Sequence, residues 1–421
     1  MDTVKILQPP TGGTIQAIPS KSAAHRLLIA GFLSGLDTND SCKGLSDDVA
    51  ATSRCLAELA KAKESDGAKE LGGKECASAG QRGAGSCQLN CGESGSTLRF
   101  LIPLAAALGI ESDFVCEGQL ADRPMEPLLE VLAAHGCSVE GHNPKHLTGQ
   151  LTAGTFTLPG SISSQFITGL LIALPILWGD SKVIVTGSIQ SRPYIDLTLQ
   201  ILRTAGIKIT EETKGTFLID GGQNYALPAD ALNNIEGDWS AAAFWIVMDA
   251  MIEGHIAVNG LDPKSAQGDA AIIPLVRKCL DAGGAANIAG PLEIDVADTP
   301  DLAPALAVLA CARPAGSVTR ITGAGRLRYK ESDRLHTVSE VLSSLGAEIE
   351  EGEDQLTITA NGKLTGGEAD SFGDHRIAMM AAAAACIAAG PVTITNAGAV
   401  SKSYPNFYED YQRLGGKLQW L

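Results

Sequence analysis

Residues 127–140 read PLLEVLAAHGCSVE, and this stretch shows the unit from which the chain is built. Its apolar residues recur at helical spacing up to Ala134, and Gly136 then precedes a short alternating segment. A glycine just after the last helical position is typical of a left-handed helix end. The stretch therefore predicts a helix, a tight turn at Gly136 and a strand.

The same helix, glycine and strand pattern recurs along the chain at spacings of 63 to 77 residues. The further copies are LTLQILRTAGIKIT (197–210, turn at Gly206), PLVRKCLDAGGAAN (274–287, Gly283), VSEVLSSLGAEIE (338–350, Gly346) and YEDYQRLGGKLQW (408–420, Gly415). A sixth copy begins with SDDVAATSRCLAELA, residues 46–60. There a stretch rich in Gly, Lys and Ser, residues 61–86, replaces the turn, and it predicts a surface loop insertion.

Each repeat also contains a second helix that is apolar on nearly all sides and is therefore expected to be buried. These helices are predicted to begin near Ser22, Gly95, Ser163, Ser240, Asp301 and His375. Short β-branched segments such as KVIVTGS (182–188) and SVTRITG (317–323) predict the strands. Six such repeats, arranged as three plus three, predict two similar domains, with a chain crossing near NNIEGDWS (233–240).

Composition and charge limit the classes of function. The chain has 421 residues and a formal net charge of −16, which argues against nucleic-acid binding. MDTVKILQPP, residues 1–10, has no basic and apolar leader, and no apolar run is long enough to span a membrane. The ten cysteines show no zinc-like spacing, so we expect free thiols in a reducing cytoplasm.

Polar residues gather at the predicted starts of the buried helices. Helix N-termini offer free N–H groups and partial positive charge, which suit phosphate and carboxylate. If several converge, they form a site for small anions. Each position also has a structural explanation: Ser22, Ser163 and Asp301 as helix caps, Arg99 and Arg376 as structural ion pairs, and His25 and His375 as core histidines.

A further stretch, YKESDRLHTVSEVLSSLGAEIEEG (329–352), places unusual charges at a predicted helix start. Lys330, Glu331, Asp333 and Arg334 lie within five residues, although the helix dipole favours negative charge there. Either this is a solvated helix start, with Asp333 as partner of the dipole, or the cations are held for an anionic guest.

Ten segments, in order along almost the whole chain, resemble the EPSP synthase (3-phosphoshikimate 1-carboxyvinyltransferase) family of enolpyruvyl transferases. They are SKSAAHR (20–26), SGSTLRF (94–100), ADRPMEPL (121–128), GSISSQF (160–166), SRPYIDLTL (191–199), EGDWSAAAF (236–244), TPDLAPALAVLA (299–310), YKESDRL (329–335), GDHRIAMM (373–380) and SKSYPNF (401–407).

The resemblance implies an α/β fold of two similar domains, an inside-out α/β barrel arrangement with buried helices and outer sheets. Each domain has three βαβαββ-type units, and the active site lies in the cleft between the domains. In this chain the domains would be 19–236, carrying the insertion 61–86, and 1–18 plus 237–421.

The implied reaction transfers the enolpyruvyl group of phosphoenolpyruvate to the 5-hydroxyl of shikimate 3-phosphate and releases phosphate, without metal or cofactor. It belongs to chorismate and aromatic amino acid biosynthesis. The partners are these two small molecules, with no nucleic acid or membrane, and the enzyme is expected to be a cytoplasmic monomer.

The resemblance also implies roles for individual residues. Asp301 would be the base for the 5-hydroxyl, and Glu331 the acid at carbon, with Lys21 nearby. Shikimate 3-phosphate would be bound by Lys21, Ser22, Arg26, Ser163, Ser164, Gln165, Ser191, Tyr194, Asp301 and Lys330. Phosphoenolpyruvate would be bound by Lys21, Gly95, Arg123, Gln165, Arg334, Arg376 and Lys402.

The chain departs from the family at three of these places. It has Glu93 and Ser96 where many members have Asn and Thr, and Arg326 where some have Asn. The sister family that acts on UDP-N-acetylglucosamine normally has a catalytic cysteine five residues before Arg-Pro, where this chain has Gly118; the nearest cysteine is Cys116. A non-catalytic anion-binding protein is the other alternative, and it would not need Asp301 and Glu331 together.

Overall fold

The structure, a computed structural model, describes residues 2–38, 46–70, 87–281 and 291–421. The predicted turn at Gly283 and the cysteines Cys42 and Cys76 lie outside the described residues. The other eight cysteines are free thiols. Across the described ranges, no helix combines the length and hydropathy needed to cross a membrane.

The α-helices alternate with short strands. The helices are α1 (Lys21–Leu33), α2 (Asp47–Glu70), α3 (Gly95–Leu108), α4 (Glu126–Ala133), α5 (Ser164–Ala173), α6 (Arg192–Thr204), α7 (Trp239–Asp249), α8 (Ile272–Asp281), α9 (Ala303–Cys311), α10 (Arg334–Ser344), α11 (His375–Ala384) and α12 (Phe407–Arg413). Short 3-10 turns include Gly118–Asp122, Gly268–Ala271, Pro300–Leu302, Gly325–Tyr329 and Ala397–Lys402.

The strands are mostly four or five residues long. They are β1 (Val4–Gln8), β2 (Gly13–Gln16), β3 (Cys87–Asn90), β4 (Ser112–Val115), β5 (Cys137–Glu140), β6 (Lys145–Gly149), β7 (Thr155–Pro159), β8 (Ser181–Thr186), β9 (Ile209–Thr213), β10 (Thr216–Ile219), β11 (Ile256–Asn259), β12 (Leu292–Asp295), β13 (Val318–Thr322), β14 (Glu348–Glu351), β15 (Gln355–Thr359), β16 (Gly367–Asp370), β17 (Val392–Thr395) and β18 (Lys417–Trp420).

The chain divides into two compact units. The N-terminal unit comprises residues 21–190 and 194–235, and the C-terminal unit comprises 1–20, 191–193 and 236–421. The N-terminal unit contains the sheets β3-β4-β6-β5 and β7-β8-β10-β9. The C-terminal unit contains β12-β13-β15-β14, β16-β17-β1-β18 and the parallel pair β11-β2.

Within the described ranges, the four four-stranded sheets have the same construction. The first two strands pair in parallel, as β7 and β8 do, and the remaining neighbours pair antiparallel. Read along the chain, β7, α5, β8, α6, β9 and β10 form one βαβαββ unit. The α/β fold class predicted from the sequence is thereby confirmed.

The second helices of the repeats are buried, as their composition predicted. Every residue of α9 and every residue of α11 is buried, and alanine makes up much of both. Small side chains let neighbouring helices approach closely around a shared apolar core. Such helices can present their first turns to a site while their remaining residues stay in the core.

The glycine turns are confirmed at four of the repeats. Gly136, Gly206, Gly346 and Gly415 have φ angles of 94°, 80°, 96° and 89°, in the left-handed region that favours glycine. All six buried helices begin within three residues of the predicted positions. The repeat pattern therefore located the elements correctly.

One boundary was wrong. The insertion was expected to form a loop from Lys61, but α2 continues to Glu70. Residues 61–70 are mostly alanine, lysine and glutamate, which favour helix, and Lys61 pairs with Glu58 one turn earlier at 2.7 Å. Residues 71–86 of the insertion lie outside the described residues.

Candidate functional site

Asp301 lies at the centre of a charged cluster in the C-terminal unit. It is held in the 3-10 turn Pro300–Leu302, just before buried helix α9. Its Oδ1 accepts hydrogen bonds from Lys330 Nζ at 3.2 Å and Arg334 Nη1 at 2.9 Å. Its Oδ2 accepts one from Arg376 Nη2 at 3.0 Å. Asp301 is therefore not a helix cap but the common acceptor of three cations.

These cations determine the protonation state of Asp301. Burial alone would raise its pKa, but Arg376, Lys330 and Arg334 hold that pKa well below its ordinary value. Burial lowers the pKa of Lys330, and the charge of Asp301 partly opposes this effect. The carboxylate of Asp301 is thus ionised in the absence of ligand.

Arg334 is the first residue of α10 and is buried. Its Nε donates to Asp374 Oδ2 at 2.9 Å and its Nη2 to Asp374 Oδ1 at 3.1 Å. Nη2 also donates to Glu331 Oε2. Burial acts to lower the pKa of Arg334, but the charges of Asp374, Glu331 and Asp301 outweigh burial and raise it. Arg334 is thus a permanent cation with a fixed orientation.

The helix start differs from the sequence-based expectation. Lys330 and Glu331 precede α10 rather than forming its first turn. Asp333 caps the helix, because its Oδ1 accepts a hydrogen bond from His336 N at 3.1 Å. The negative charge of this cap interacts favourably with the helix dipole. Lys330 and Glu331 lie in the loop before the helix, where Lys330 contacts Asp301 and Glu331 contacts Arg334.

Arg376 and Lys402 extend the positive charge of this unit. Arg376 is the second residue of α11, whose cap, Asp374, accepts a hydrogen bond from Arg376 N at 2.9 Å. Lys402 Nζ donates to the carbonyl of Gly373 at 2.7 Å, so it lies beside the same turn. Asp374 thus orients both Arg334 and the start of α11, a role that sequence reasoning did not assign to it.

Asp269 is a further buried carboxylate near this cluster, and the sequence analysis missed it. It accepts a hydrogen bond from Ser240 Oγ. Burial and the charge of Asp301 raise the pKa of Asp269 to about 6, although Arg376 opposes the shift. Nothing in the sequence marked Asp269 as a neighbour of Asp301, apart from its place in a polar QGD segment (267–269) between two helices.

Ser191 also belongs to the C-terminal unit. It is a buried non-glycine residue with φ of 53°, and its backbone N donates to the carbonyl of Ala297 at 3.1 Å. Arg326 Nη2 donates to Ser191 Oγ and, at 3.2 Å, to the same carbonyl of Ala297. Arg326 therefore touches a predicted substrate-binding serine.

In the N-terminal unit, Lys21 is the first residue of α1. Its Nζ donates to Asp48 Oδ2 at 2.8 Å, and both side chains are mostly buried. Asp48 lies in the first turn of α2 and was not predicted, because nothing in the sequence indicates which helix packs beside Lys21. The pair fixes the ammonium group at the start of α1, next to Ser22.

Arg26 is buried one turn further along α1. It donates to Thr198 Oγ1 at 2.8 Å, the carbonyl of Ser22 at 2.6 Å and the carbonyl of Tyr194 at 3.1 Å. Burial lowers the pKa of Arg26 to about 10. Its guanidinium thus ties together the predicted residues Ser22 and Tyr194.

Gln165 forms the centre of a second group in this unit. Ser163 caps α5, and its Oγ accepts a hydrogen bond from Gln165 N at 3.3 Å. Arg99 Nη1 donates to Gln165 Oε1 at 2.6 Å, and Gln165 Nε2 donates to Ser96 Oγ at 2.9 Å. An arginine can only donate, so this contact fixes the orientation of the Gln165 amide. Ser164 is the first residue of the same helix.

Gly95 and Arg123 lie against one another. Gly95 begins α3, and a methyl group placed on it would lie 2.8 Å from Arg123 Nη1. Arg123 therefore stands beside the free N–H groups of this helix start. The carboxylate of Glu93 faces Gly118, since a methyl group on Gly118 would lie 2.6 Å from Glu93 Oε2.

The predicted residues thus form connected groups within each unit. In the C-terminal unit, hydrogen bonds join Asp301, Lys330, Glu331, Arg334 and Arg376. In the N-terminal unit, Lys21, Ser22, Arg26 and Tyr194 surround the start of α1, and Gly95 lies beside Arg123. A cavity of about 560 Å³ between α2 and β3 lies elsewhere; its described lining includes none of the predicted residues.

Comparisons with known proteins show which family and which solved structures the chain is similar to. The sequence model described as EPSP synthase (3-phosphoshikimate 1-carboxyvinyltransferase) matches residues 8–411. A 3-phosphoshikimate 1-carboxyvinyltransferase of Clostridium kluyveri is 38% identical, with 100% of this chain and 99% of the relative covered. One of Methanocorpusculum labreanum is 34% identical, with 97% of each covered. A solved EPSP synthase structure from Acinetobacter baumannii, 24% identical, matches the fold with a TM-score of 0.71 and covers both chains fully.

Proposed function

Because the chain belongs to the EPSP synthase family, we propose how its residues divide the work of that family's reaction. The enzyme is a transferase that moves the enolpyruvyl group of phosphoenolpyruvate to the 5-hydroxyl of shikimate 3-phosphate and releases phosphate. The reaction proceeds by addition and then elimination through a tetrahedral intermediate. Both substrates carry a phosphate and a carboxylate, so a cationic site and a base are required.

Asp301 is proposed as the base that takes the proton of the 5-hydroxyl. The observation that carries this role is its contact with Lys330, Arg334 and Arg376, which keep the carboxylate ionised. An ionised, mostly buried carboxylate is ready to accept a proton without first losing one.

Substrate anions would make Asp301 a stronger base. Its negative charge is balanced by the same cations that a phosphate or a carboxylate would attract. When those cations bind the substrate anions, they stabilise the charged form of Asp301 less. The pKa of Asp301 then rises toward the range useful for proton transfer. Binding and activation are thereby linked.

Glu331 is proposed as the acid at carbon. In the addition step, the deprotonated 5-oxygen forms a bond to C2 of phosphoenolpyruvate while its methylene carbon gains a proton, giving a methyl group. In the elimination step, that methyl group returns a proton to Glu331, the C2–O bond to phosphate breaks, and the proton held by Asp301 passes to the leaving phosphate. The hydrogen bond from Arg334, which orients the Glu331 carboxylate, supports this proposal, and Lys21 is proposed to assist.

The remaining residues are proposed to bind the substrates' anionic groups and hydroxyls. In the N-terminal unit, the phosphoenolpyruvate groups would meet the Gly95 backbone, Arg123, Gln165 and Lys21. Shikimate 3-phosphate would meet Lys21, Ser22, Arg26, Ser163, Ser164, Gln165 and Tyr194. In the C-terminal unit, Arg334, Arg376 and Lys402 are proposed for phosphoenolpyruvate, and Ser191, Asp301 and Lys330 for shikimate 3-phosphate. Planar guanidinium groups suit paired contacts with carboxylate or phosphate.

Isosteric variants test the two proton-transfer roles. We expect Asp301→Asn and Glu331→Gln to lower kcat roughly 100- to 10,000-fold, the range that general acid–base groups contribute. In deuterium oxide, the wild-type enzyme should place deuterium in the methylene group of the product, and Glu331→Gln should slow this exchange. Glu340→Gln, at an exposed carboxylate of α10 that pairs with His336, is the matched control. Full activity in either site variant would refute that residue's role.

We also propose that the enzyme works as a monomer in the cytoplasm. The eight free thiols of the described ranges support a reducing compartment. Size-exclusion chromatography with light scattering tests the oligomeric state, and a dimer at micromolar concentration would contradict the proposal.

A further inference from the structure

A chain of four buried polar side chains crosses the first three helices of the N-terminal unit. His25 Nδ1 of α1 lies 2.7 Å from Thr52 Oγ1 of α2. Thr52 Oγ1 lies 2.6 Å from Thr97 Oγ1 of α3, which lies 2.8 Å from Ser94 Oγ. All four residues are buried, with at most 1% of their surface exposed. Buried hydroxyl groups of this kind need partners, so the chain is a specific arrangement rather than a chance contact.

The direction of donation in this chain can be worked out from its Ser94 end. Ser94 Oγ accepts the backbone N–H of Thr97 at 3.2 Å, and the Thr97 hydroxyl donates to the same oxygen. Among the described residues, the other acceptor within reach of that hydroxyl is the carbonyl of Asp48, at 3.4 Å. A hydroxyl has one hydrogen, so Thr97 must accept from Thr52, and Thr52 must in turn accept from His25.

This direction fixes the state of His25. Its Nδ1 carries the hydrogen that Thr52 accepts, so its Nε2 carries none in the neutral ring. Nε2 is buried and has no hydrogen-bond partner among the described residues, which would make a second N–H there costly. Burial, together with the charges of Lys21 and Arg26, lowers the pKa of His25 well below its ordinary value, in agreement with a neutral ring.

The chain joins two places that the proposed function uses. His25 follows Lys21 by one turn of α1, and Thr52 follows Asp48 by one turn of α2, so the Lys21–Asp48 ion pair and the His25–Thr52 hydrogen bond are successive contacts between these helices. At its other end, Ser94 caps α3, which begins at Gly95. The chain therefore connects the lysine at the start of α1 to the proposed phosphoenolpyruvate position at the start of α3.

We propose that His25, Thr52 and Thr97 are positioning residues that hold the first turn of α3 in register with Lys21, through a hydrogen-bond chain running from His25 Nδ1–H to Ser94. This inference rests on the proposed function, because it assumes that Gly95 and Lys21 contact phosphoenolpyruvate. None of the three residues is proposed to touch a substrate. Their effect is on the position of the N–H groups at the start of α3.

The tautomer of His25 in the wild-type protein tests the direction of the hydrogen-bond chain. Nitrogen-15 NMR of the histidine rings, with His25 assigned by comparison with His25→Asn, should show a neutral ring with hydrogen on Nδ1 from pH 6 to 8. A hydrogen on Nε2, or a ring that is protonated near pH 6.5, would overturn the chain as described. This result does not depend on catalytic activity.

Kinetics test the positioning role. Thr52→Val and Thr97→Val should raise the KM for phosphoenolpyruvate roughly three- to tenfold, about the effect of one hydrogen bond, with little change in the KM for shikimate 3-phosphate. Thr52→Ser and Thr97→Ser keep the hydroxyl and should restore the KM. His25→Asn offers an amide N–H near the position of Nδ1 and should be milder than His25→Leu. The pair Thr52→Val with Thr97→Val should be less than additive, because either change breaks the same chain.

Thr319→Val is the matched control, since Thr319 is a buried threonine of the C-terminal unit whose hydroxyl accepts from Arg313 Nη1 at 2.7 Å. It should lower stability without changing either KM. If Thr52→Val and Thr97→Val also lowered only stability, the positioning role would be refuted. If the wild-type protein had no activity with these substrates, the proposed function would fail instead, while the NMR result would still decide the direction of the chain.

Discussion

Arg334 and Asp374 form two parallel hydrogen bonds, of 2.9 and 3.1 Å, with both side chains buried. The guanidinium is therefore oriented before any substrate arrives, and its remaining contacts point to Asp301 and Glu331. The proposed base and the proposed acid are thus held by one cation, which Asp374 in turn holds.

Loss of this pair should be costly. Asp374→Ala leaves a buried guanidinium without its main partner, and we expect the free energy of unfolding to fall by about 3–5 kcal/mol. Urea denaturation measures the change. The control is Glu293→Ala, which removes an exposed pair with Arg320 and should cost less than about 1 kcal/mol. Equal losses in the two variants would show that the buried pair does not stabilise the fold.

Gly95→Ala should weaken phosphoenolpyruvate binding. The added methyl group would lie 2.8 Å from Arg123 Nη1 and 3.2 Å from Cζ, so the guanidinium must move. We expect the KM for phosphoenolpyruvate to rise about tenfold or more, and the KM for shikimate 3-phosphate to change little, because displaced charge-assisted contacts contribute about 1.5–3 kcal/mol. Steady-state kinetics with each substrate varied will show this. Gly35→Ala adds a methyl group that meets nothing within 4 Å, at a φ of 73° that alanine disfavours, so it controls for a loss of stability alone. An unchanged KM in Gly95→Ala would contradict the assignment of Arg123.

Gln165→Glu should separate substrate binding from stability. Arg99 keeps an oxygen acceptor, so the fold should remain intact, but the amide donor beside Ser96 is replaced by a negative charge. We expect the KM of both anionic substrates to rise roughly 100-fold, since like charges in contact cost several kcal/mol. Gln223→Glu, at a half-buried glutamine whose amide bonds the backbone of Lys208 and Asp220, serves as the control. Normal KM values in Gln165→Glu would place both substrates away from this amide.

The ion pairs of His336, in the first turn of α10, with Glu340 and Glu351 should make the stability of the fold depend on pH. The hydrogen bond from His336 to Glu351, together with the charges of Glu351, Glu340 and Asp333, raises the pKa of His336 above 6.5, although partial burial opposes this effect. Because the pKa of His336 is higher in the folded state than in the unfolded state, the protonated ring stabilises the fold fully below about pH 6.5. This stabilisation is lost as the pH rises through the higher pKa of the folded state.

His336→Gln should therefore lower the free energy of unfolding at pH 6 more than at pH 9. Denaturation curves at the two pH values measure this difference. Glu351 is also ionised at both values, because its pKa is lowered by His336 and Arg328 despite partial burial. An equal effect of the substitution at both pH values would mean that the charge of His336 makes no contribution.

The repeat could be predicted from the sequence because its signals are local. A glycine such as Gly136 or Gly415 marks a left-handed turn whatever surrounds it, and an alanine-rich helix such as α11 is buried wherever the chain places it. The end of α2 was predicted wrongly because residues 61–86 were treated as one Gly-, Lys- and Ser-rich loop. Residues 61–70 of that segment favour helix and continue α2.

The partners of the site residues could not be predicted in the same way. Asp48 is 27 residues from Lys21, and Asp374 is 40 residues from Arg334, so only the packing of separate helices brings them together. The family resemblance named the residues expected to touch substrate. It did not name those that orient them, such as Asp48, Asp374 and Arg99.

The most direct test is phosphate release from phosphoenolpyruvate by the purified protein, with shikimate 3-phosphate or UDP-N-acetylglucosamine as acceptor. We predict release with shikimate 3-phosphate alone, and its loss in Asp301→Asn and Glu331→Gln but not in Glu340→Gln. Release with the sugar nucleotide alone would contradict the substrate assignment. Release that persists in both site variants would contradict the central claim that Asp301 and Glu331 carry out the proton transfers.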